Sequence, residues 1–161
     1  MGTRNSTIVK SKGITKVAQY GQWDGYPTGV GQTIADFLKT VNLEDFKKKV
    51  DALGVWTNEE RNALVAGNEQ YLIGASSNWA KECPELDRDT AAGILELINN
   101  GSVTKVLLDE EFKNDTLFCE YWYELDLDAE TVTMNGEVFT FAQWTKDGFM
   151  GELENREEED E

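Results

Sequence analysis

Thr131-Val132-Thr133-Met134-Asn135-Gly136-Glu137-Val138-Phe139-Thr140-Phe141 is the stretch whose reading decides the fold. Two runs rich in β-branched and aromatic residues flank Asn135-Gly136. Asn-Gly between such runs is the strongest short hairpin signal, because both central residues of a type I′ turn need positive φ. Upstream, Thr116 to Leu127 is a long run carrying Phe118, Tyr121, Trp122 and Tyr123, and Val103 to Leu108 is a shorter one. Both read as strands. On an extended chain Trp122 and Tyr123 point to opposite faces, so at least one enters the core.

The other end of the chain has the same character. Thr7-Ile8-Val9 and Thr15-Lys16-Val17-Ala18-Gln19-Tyr20 flank Lys10-Ser11-Lys12-Gly13, which predicts an N-terminal hairpin with Gly13 at positive φ. Between the two strand regions the apolar spacing turns helical. Ile34, Phe37, Leu38 and Val41 predict a helix over 31–41. Asn42 caps a second, with Leu43, Phe46, Val50 and Leu53 on one face and Gly54 as the stop. Thr57-Asn58-Glu59-Glu60 is a capping box for a third, and 68–80 reads as a further helix carrying Tyr71, Leu72 and Trp79. Asp87 caps a strong helix through Ile94, Leu95, Leu97 and Ile98, closed by Gly101. Strands at both ends around a helical middle predict an α+β fold, with an antiparallel sheet from the N- and C-terminal strands.

The 161 residues carry 15 Lys+Arg against 31 Asp+Glu, a net charge of −16, and no histidine. A hydrophobic fraction of 40% supports a real core rather than a disordered acidic chain. The missing imidazole excludes Ser-His-Asp triads, Cys-His pairs and the common catalytic zinc sites within this chain. Any catalysis would rest on carboxylate, hydroxyl, amine or thiol. Cys83 and Cys119 lack C-x-x-C spacing and are expected as buried reduced thiols. Neither a secretory h-region nor 18 consecutive apolar residues is visible, so a cytosolic protein without a membrane partner is expected. Met1-Gly2-Thr3-Arg4-Asn5-Ser6 fits the permissive myristoylation pattern, which matters only in a host with the modifying enzyme.

Residues 1–60 hold 8 basic and 7 acidic side chains, whereas 61–161 hold 7 and 24. The field of the second part opposes contact with nucleic acid phosphates and favours a protein with a basic surface. Residues 1–151 are expected to form one domain, and 152–161, with seven acids and one Arg156, a flexible acidic tail.

Two places have the residue types of a site. Gly21-Gln22-Trp23-Asp24-Gly25-Tyr26-Pro27-Thr28-Gly29-Val30-Gly31 is a glycine-rich loop that lacks P-loop and dinucleotide-binding spacing. It sets Gln22, Trp23, Asp24 and Tyr26 near a chain start with Arg4 and Asn5, and these six are the candidate ligand-binding residues. The alternative is that Trp23 and Tyr26 pack on the sheet while Asp24 ties the turn. The second place is acidic: Glu120, Glu124, Asp126, Asp128 and Glu130 are the candidate partner-binding residues. Alternation would put Asp126, Asp128 and Glu130 on one face, where carboxylates bind Mg²⁺ or Ca²⁺. The run lacks EF-hand spacing and also reads as a strand's polar exit, so neither metal nor cofactor is expected.

Met1-Gly2-Thr3-Arg4-Asn5 and Ala18-Gln19-Tyr20-Gly21-Gln22-Trp23-Asp24-Gly25-Tyr26-Pro27 resemble a family of uncharacterised phage and prophage proteins that begin M-G-T-R-N and carry A-Q-Y-G-Q-W-D-G-Y-P. Pro84–Thr90 and Leu117–Asp128 are similar to the same family, so the resemblance spans roughly residues 1–134. It implies a viral or prophage origin and expression in a bacterial cytoplasm. The chain start also looks loosely like that of N-terminal-nucleophile hydrolases, although Gly2 stands where their nucleophile would be. The function expected is binding of a host macromolecule with a basic surface, with inhibition of a host defence system as its use. The alternative is a small-ligand-binding or hydrolase-like protein with its pocket at the N-terminus and the glycine-rich loop.

Overall fold

The computed structural model describes residues 3–55, 57, 59, 90–106, 108, 114 and 119–159. The helices expected from 57–60 and over 68–80, the Asp87 cap, Cys83, Gly2 and the first residues of the 116–127 run lie outside the described residues. In chain order the elements are β1 (Asn5–Ser11), β2 (Ile14–Gly21), α1 (Gln32–Thr40), α2 (Leu43–Asp51), β3 (Gly54–Val55), α3 (Ile94–Asn99), β4 (Lys105–Val106), β5 (Tyr121–Asp126), β6 (Thr131–Met134), β7 (Glu137–Thr140), α4 (Phe141–Trp144) and α5 (Phe149–Glu159). The fold is α+β, with the main sheet built from N- and C-terminal strands.

Both hairpin turns follow from local chemistry. Asn135 (φ 50°) and Gly136 (φ 95°) form the turn between β6 and β7, and Lys12 (φ 55°) and Gly13 (φ 75°) that between β1 and β2. The main sheet has the order β2-β1-β5-β6-β7. Its pairs are antiparallel except one: β1 and β5 run parallel, from Asn5 opposite Tyr121 to Lys10 opposite Asp126. The antiparallel sheet expected from the N- and C-terminal strands is thus joined through one parallel pair. The long stretch between β2 and β5, with its helices, supplies the crossover that a parallel pair requires.

Side-chain alternation sorts the inner face of this sheet into rows. Val17, Val9, Leu125, Val132 and Phe139 stand side by side across all five strands, and all are buried. The adjacent row is Gln19, Thr7, Tyr123 and Met134, and the next is Gly21, Asn5 and Tyr121. The sheet is therefore apolar at one end of this face and turns polar toward the other. Ile8 and Ala18, on the reverse face, are buried as well.

Helices close the inner face. α1 buries Ile34, Ala35 and Phe37, α2 buries Phe46 and Val50, and α3 buries Ile94, Leu95 and Ile98. Phe37 and Phe46 meet edge to face at 4.9 Å. Asn42 caps α2 as expected, its side chain accepting from the Asp45 amide at 3.2 Å. Val103 to Leu108 contributes only the two residues of β4, paired in parallel with β3. Gly101 (φ 83°) follows α3 in the left-handed conformation typical of a helix stop.

Two C-terminal features depart from expectation. Phe141 does not prolong β7 but opens α4, because Thr140 caps it. The Thr140 hydroxyl accepts from the Gln143 backbone amide at 3.1 Å, and the Gln143 side-chain Oε1 accepts from the Thr140 backbone amide at 2.8 Å. The domain boundary expected at residue 152 falls inside α5, which runs on to Glu159. Its Met150 and Leu153 are buried, and Arg156 pairs with Glu137 at 2.7 Å. Charge alone suggested a solvated tail from residue 152, whereas Leu153, three residues after Met150, is buried and seats the start of α5.

Trp144 is the centre of the C-terminal packing. It is fully buried, lies 5.8 Å from the Tyr123 ring and 5.6 Å from Phe139, and donates its indole N–H to the Gly31 carbonyl at 3.1 Å. Trp144→Ala is expected to cost roughly 3–5 kcal/mol, read as a lower midpoint in chemical denaturation. A change under about 1 kcal/mol would show that this core is not organised around the indole.

Candidate functional site

The glycine-rich loop leaves β2 at the polar end of the sheet and is tied down at four points. Asn5, wholly buried, donates its side-chain amide to the Thr3 carbonyl (3.1 Å) and the Trp23 carbonyl (3.2 Å). The Gly25 amide donates to the Thr3 carbonyl at 3.0 Å. The Tyr123 hydroxyl donates to the Gly25 carbonyl at 2.6 Å, and the Trp144 indole reaches Gly31. A Cβ on Gly25 would lie 2.7 Å from the Thr3 carbonyl, and one on Gly29 would strike the Asp24 carbonyl. These glycines are there because backbone meets backbone. The loop ends in a wide turn, Pro27–Gly31, that runs directly into α1.

Above this base lies an open cavity of about 400 Å³. Trp23, Asp24, Thr28, Gly29 and Val30 of the loop line one side, Gln32, Thr33 and Asp36 of α1 another, and Thr90, Ala91, Ala92 and Gly93 a third. Trp23 is 47% exposed and Tyr26 37% exposed, so neither is a core residue and packing on the sheet does not account for them. Asp24 does tie the turn: its carbonyl accepts from Val30 at 2.8 Å and its carboxylate accepts from the Tyr26 hydroxyl at 2.9 Å. The Gln32 side-chain amide donates to Asp36 at 2.9 Å. Thr28 donates its hydroxyl to Glu154 of α5 at 2.7 Å, which fixes the rim to the C-terminal helix.

Two lining residues have left-handed backbones, Asp24 (φ 56°) and Ala91 (φ 43°). An aspartate takes this conformation readily, whereas an alanine is strained there by about 1–3 kcal/mol. Strain of this kind collects at functional sites more than elsewhere.

Of the six candidate ligand-binding residues, the cavity brings together Trp23 and Asp24. Asn5 stands beneath the loop and shapes it. Arg4 pairs its carbonyl with the amides of Glu120 and Tyr121, Gln22 accepts from the Tyr20 hydroxyl, and Tyr26 orients Asp24 from outside the lining. The α1 residues Gln32 and Asp36 and the 90–93 segment were not read from the sequence. Gln32 and Asp36, four apart on the polar side of an amphipathic helix that starts at the loop, were the available signal.

The acidic candidates divide differently. Glu124 and Asp126 share the reverse face of β5, with Glu120 exposed just before it. The strand ends at Asp126, whose carboxylate accepts from the amides of Asp128 (3.0 Å) and Ala129 (3.1 Å). Asp128 accepts from the Lys12 amide, and Glu130 is exposed at φ 55°. The run is thus a strand exit into a turn, and alternation does not align Asp126, Asp128 and Glu130. No group of three His, Cys, Asp or Glu side chains suited to a metal ion occurs among the described residues. Cys119 is buried, and its thiol donates to the Tyr121 carbonyl at 3.3 Å. No helix among the described residues is long and apolar enough to cross a membrane.

No protein-family model matches the chain, and no curated protein or solved structure matches it either.

The Asp24–Tyr26 pair sets a pH dependence. The hydrogen bond to Asp24, and then its negative charge, push the Tyr26 hydroxyl above the usual tyrosine value of 10.0. The protonated phenol is the favoured form, so the pair supports the loop below the ordinary tyrosine range and that support is lost as pH rises through the raised value. Asp24→Asn keeps the left-handed backbone and removes the charge. It is expected to bring one tyrosine back to an ordinary titration by absorbance at 295 nm, a shift that vanishes in Tyr26→Phe.

Proposed function

We propose that the chain is a small acidic phage or prophage protein that acts by binding a basic surface of a host macromolecule, without catalysis of its own. The observation that supports this reading most directly is the charge of the C-terminal part. Glu120, Asp128 and Glu130 stand exposed around the end of β5, and Glu124 lies half-buried on the same strand's reverse face. Residues 61–161 carry 24 acids against 7 bases. A field of one sign speeds encounter with its opposite and disfavours nucleic acid. The phage resemblance points to a bacterial host, and a basic protein of a host defence system is the class of target that such binding would block. A partner in the bacterial cytoplasm is part of the same proposal.

The hydrolase-like alternative gains nothing from the cavity's hydroxyls. Thr28 already donates to Glu154, Thr33 donates to the Gly29 carbonyl, and the lining carboxylates Asp24 and Asp36 already accept from Tyr26 and Gln32. The ligand-binding alternative is favoured by the cavity itself.

The test is capture from host lysate on the immobilised full chain. One basic protein is expected, held at low salt and weakened at physiological salt, because exposed charges are screened within about 8–10 Å there. Glu120→Lys with Glu124→Lys and Glu130→Lys should reduce retention at least about tenfold, equivalent to roughly 1.4 kcal/mol. Retention indifferent to both salt and charge reversal would overturn the proposal.

A further inference from the structure

A second depression, of about 210 Å³, lies where the connection between α1 and α2 meets α4. Leu38, Val41 and Leu43 line it from the end of α1 and the start of α2. Phe141, Ala142 and Thr145 line it from α4 and the residue after it, and Glu130 from the turn between β5 and β6. We propose that this groove seats the side chain of a surface lysine or arginine of a protein partner, with its methylenes on the apolar walls and its charge at Glu130. The inference rests on the reading of the chain as a binder of basic surfaces, and it names where such a surface is anchored.

Local structure fixes the walls. α1 ends at Thr40, and the Val41 amide donates to the Phe37 carbonyl at 3.0 Å before the backbone turns extended. Asn42 then caps α2, so that Leu43 opens it. Leu38, Val41 and Leu43 pack against the core and are still only partly buried. On the facing side the Thr140–Gln143 capping box starts α4 at Phe141, which is also partly buried. The Thr145 hydroxyl donates to the Phe141 carbonyl at 2.8 Å. Lys39 pairs with Asp147 at 3.2 Å, which links α1 to the turn after α4. Half-buried apolar side chains around one hollow gain from being covered by methylenes.

Glu130 supplies the charge and an independent observation. It is exposed, its backbone is left-handed (φ 55°), and its carbonyl accepts from the Phe141 amide at 2.9 Å. Glycine or asparagine relaxes such a position, and this chain uses both at Asn135-Gly136. The turn itself needs only the Glu130 carbonyl, so a glutamate is strained there with no return to the fold. What the residue adds is a carboxylate attached to the backbone that starts α4, beside the groove. Asp128 stands exposed two residues earlier and strengthens the negative field. The volume is below the range of about 300–1,000 Å³ for small-ligand clefts and suits one side chain. An apolar stem ending in a cation meets both the hollow and its rim. An anchor in a pocket beside a charged surface adds the specificity that a field alone lacks.

The experiment is an amide-proton NMR titration of the full chain at low salt and about pH 6, where the amines of the probes are charged. The probes are the N-acetyl methylamides of lysine, of norleucine, which keeps the stem and lacks the ammonium, and of diaminobutyric acid, which keeps the ammonium on a shorter stem. The lysine probe is expected to shift the amides of Val41, Leu43, Ala142 and Thr145 saturably. The other two should each bind at least about threefold more weakly. Glu130→Gln should bring the lysine probe down to the norleucine level. Ala142→Phe fills the groove from an exposed position, leaves every charge in place and should abolish the shifts. Norleucine binding equal to lysine would make the groove merely apolar, and diaminobutyrate binding equal to lysine would make the effect merely one of charge. Either result, or shifts that are absent or map elsewhere, would overturn the proposal. The probe comparison uses the wild-type chain and does not depend on any variant folding. Capture from lysate separates this inference from the reading it rests on. Retention that is lost on charge reversal but unchanged in Ala142→Phe overturns the groove and leaves the binding of a basic surface standing.

Discussion

The hydrogen bond from the Tyr123 hydroxyl to the Gly25 carbonyl, 2.6 Å long and buried, is the constraint on which the rest of the arrangement depends. Tyr123 sits on the middle strand of the sheet, with no exposure to solvent, and its ring contacts Trp144. A phenol in that position must find an acceptor, because burying an unpaired hydroxyl costs about 1–3 kcal/mol. The loop carbonyl is that acceptor. The core therefore needs the loop, and the loop in turn takes its place from the core. Trp144 repeats the arrangement with Gly31. Two large aromatic side chains, each with one polar atom, fasten eleven irregular residues to a regular sheet.

The graded inner face follows from the same logic. Where helices cover the sheet, the row across it is Val17, Val9, Leu125, Val132 and Phe139. Two residues further along, the row contains Gln19, Thr7 and Tyr123, and beyond it come Gly21 and Asn5. Irregular backbone brings carbonyls and amides that cannot all pair with each other. Polar side chains on the strands beneath supply the missing partners. Asn5 shows both the benefit and the cost, since its NH₂ closes the carbonyls of Thr3 and Trp23 and its oxygen is left over.

Much of this is legible in the sequence. Asn135-Gly136, the Asn42 cap and the apolar spacing of Ile34, Phe37, Phe46 and Val50 are local signals, and each element formed where its signal stood. The parallel pairing of β1 with β5 was not legible, because it depends on where a long crossover delivers the chain and on no residue in either strand. The dock of α5 was hidden by composition: seven acids outweigh Met150 and Leu153 in any average, yet burial is decided residue by residue. The loop was read as a candidate site, but the segments that share its cavity were not. Thr90, Ala91, Ala92 and Gly93 look like an ordinary helix start, and nothing in their chemistry announces that they face residues more than fifty positions earlier.

The fastening also explains how glycine content and rigidity coexist here. A loop with Gly21, Gly25, Gly29 and Gly31 would be floppy in isolation, since glycine loses more conformational freedom on ordering than any other residue. In this chain Gly25 and Gly29 meet backbone, and Gly21 meets Asn5 and Ala91, at distances that leave no room for a Cβ. The entropy lost is offset by hydrogen bonds that only a bare backbone can approach closely enough to make. Such a loop holds Trp23 and Asp24 at the surface in one orientation rather than many. An exposed indole would otherwise gain by folding against the sheet. The carbonyl of its own residue is held by Asn5 below, while the side chain stands 47% exposed.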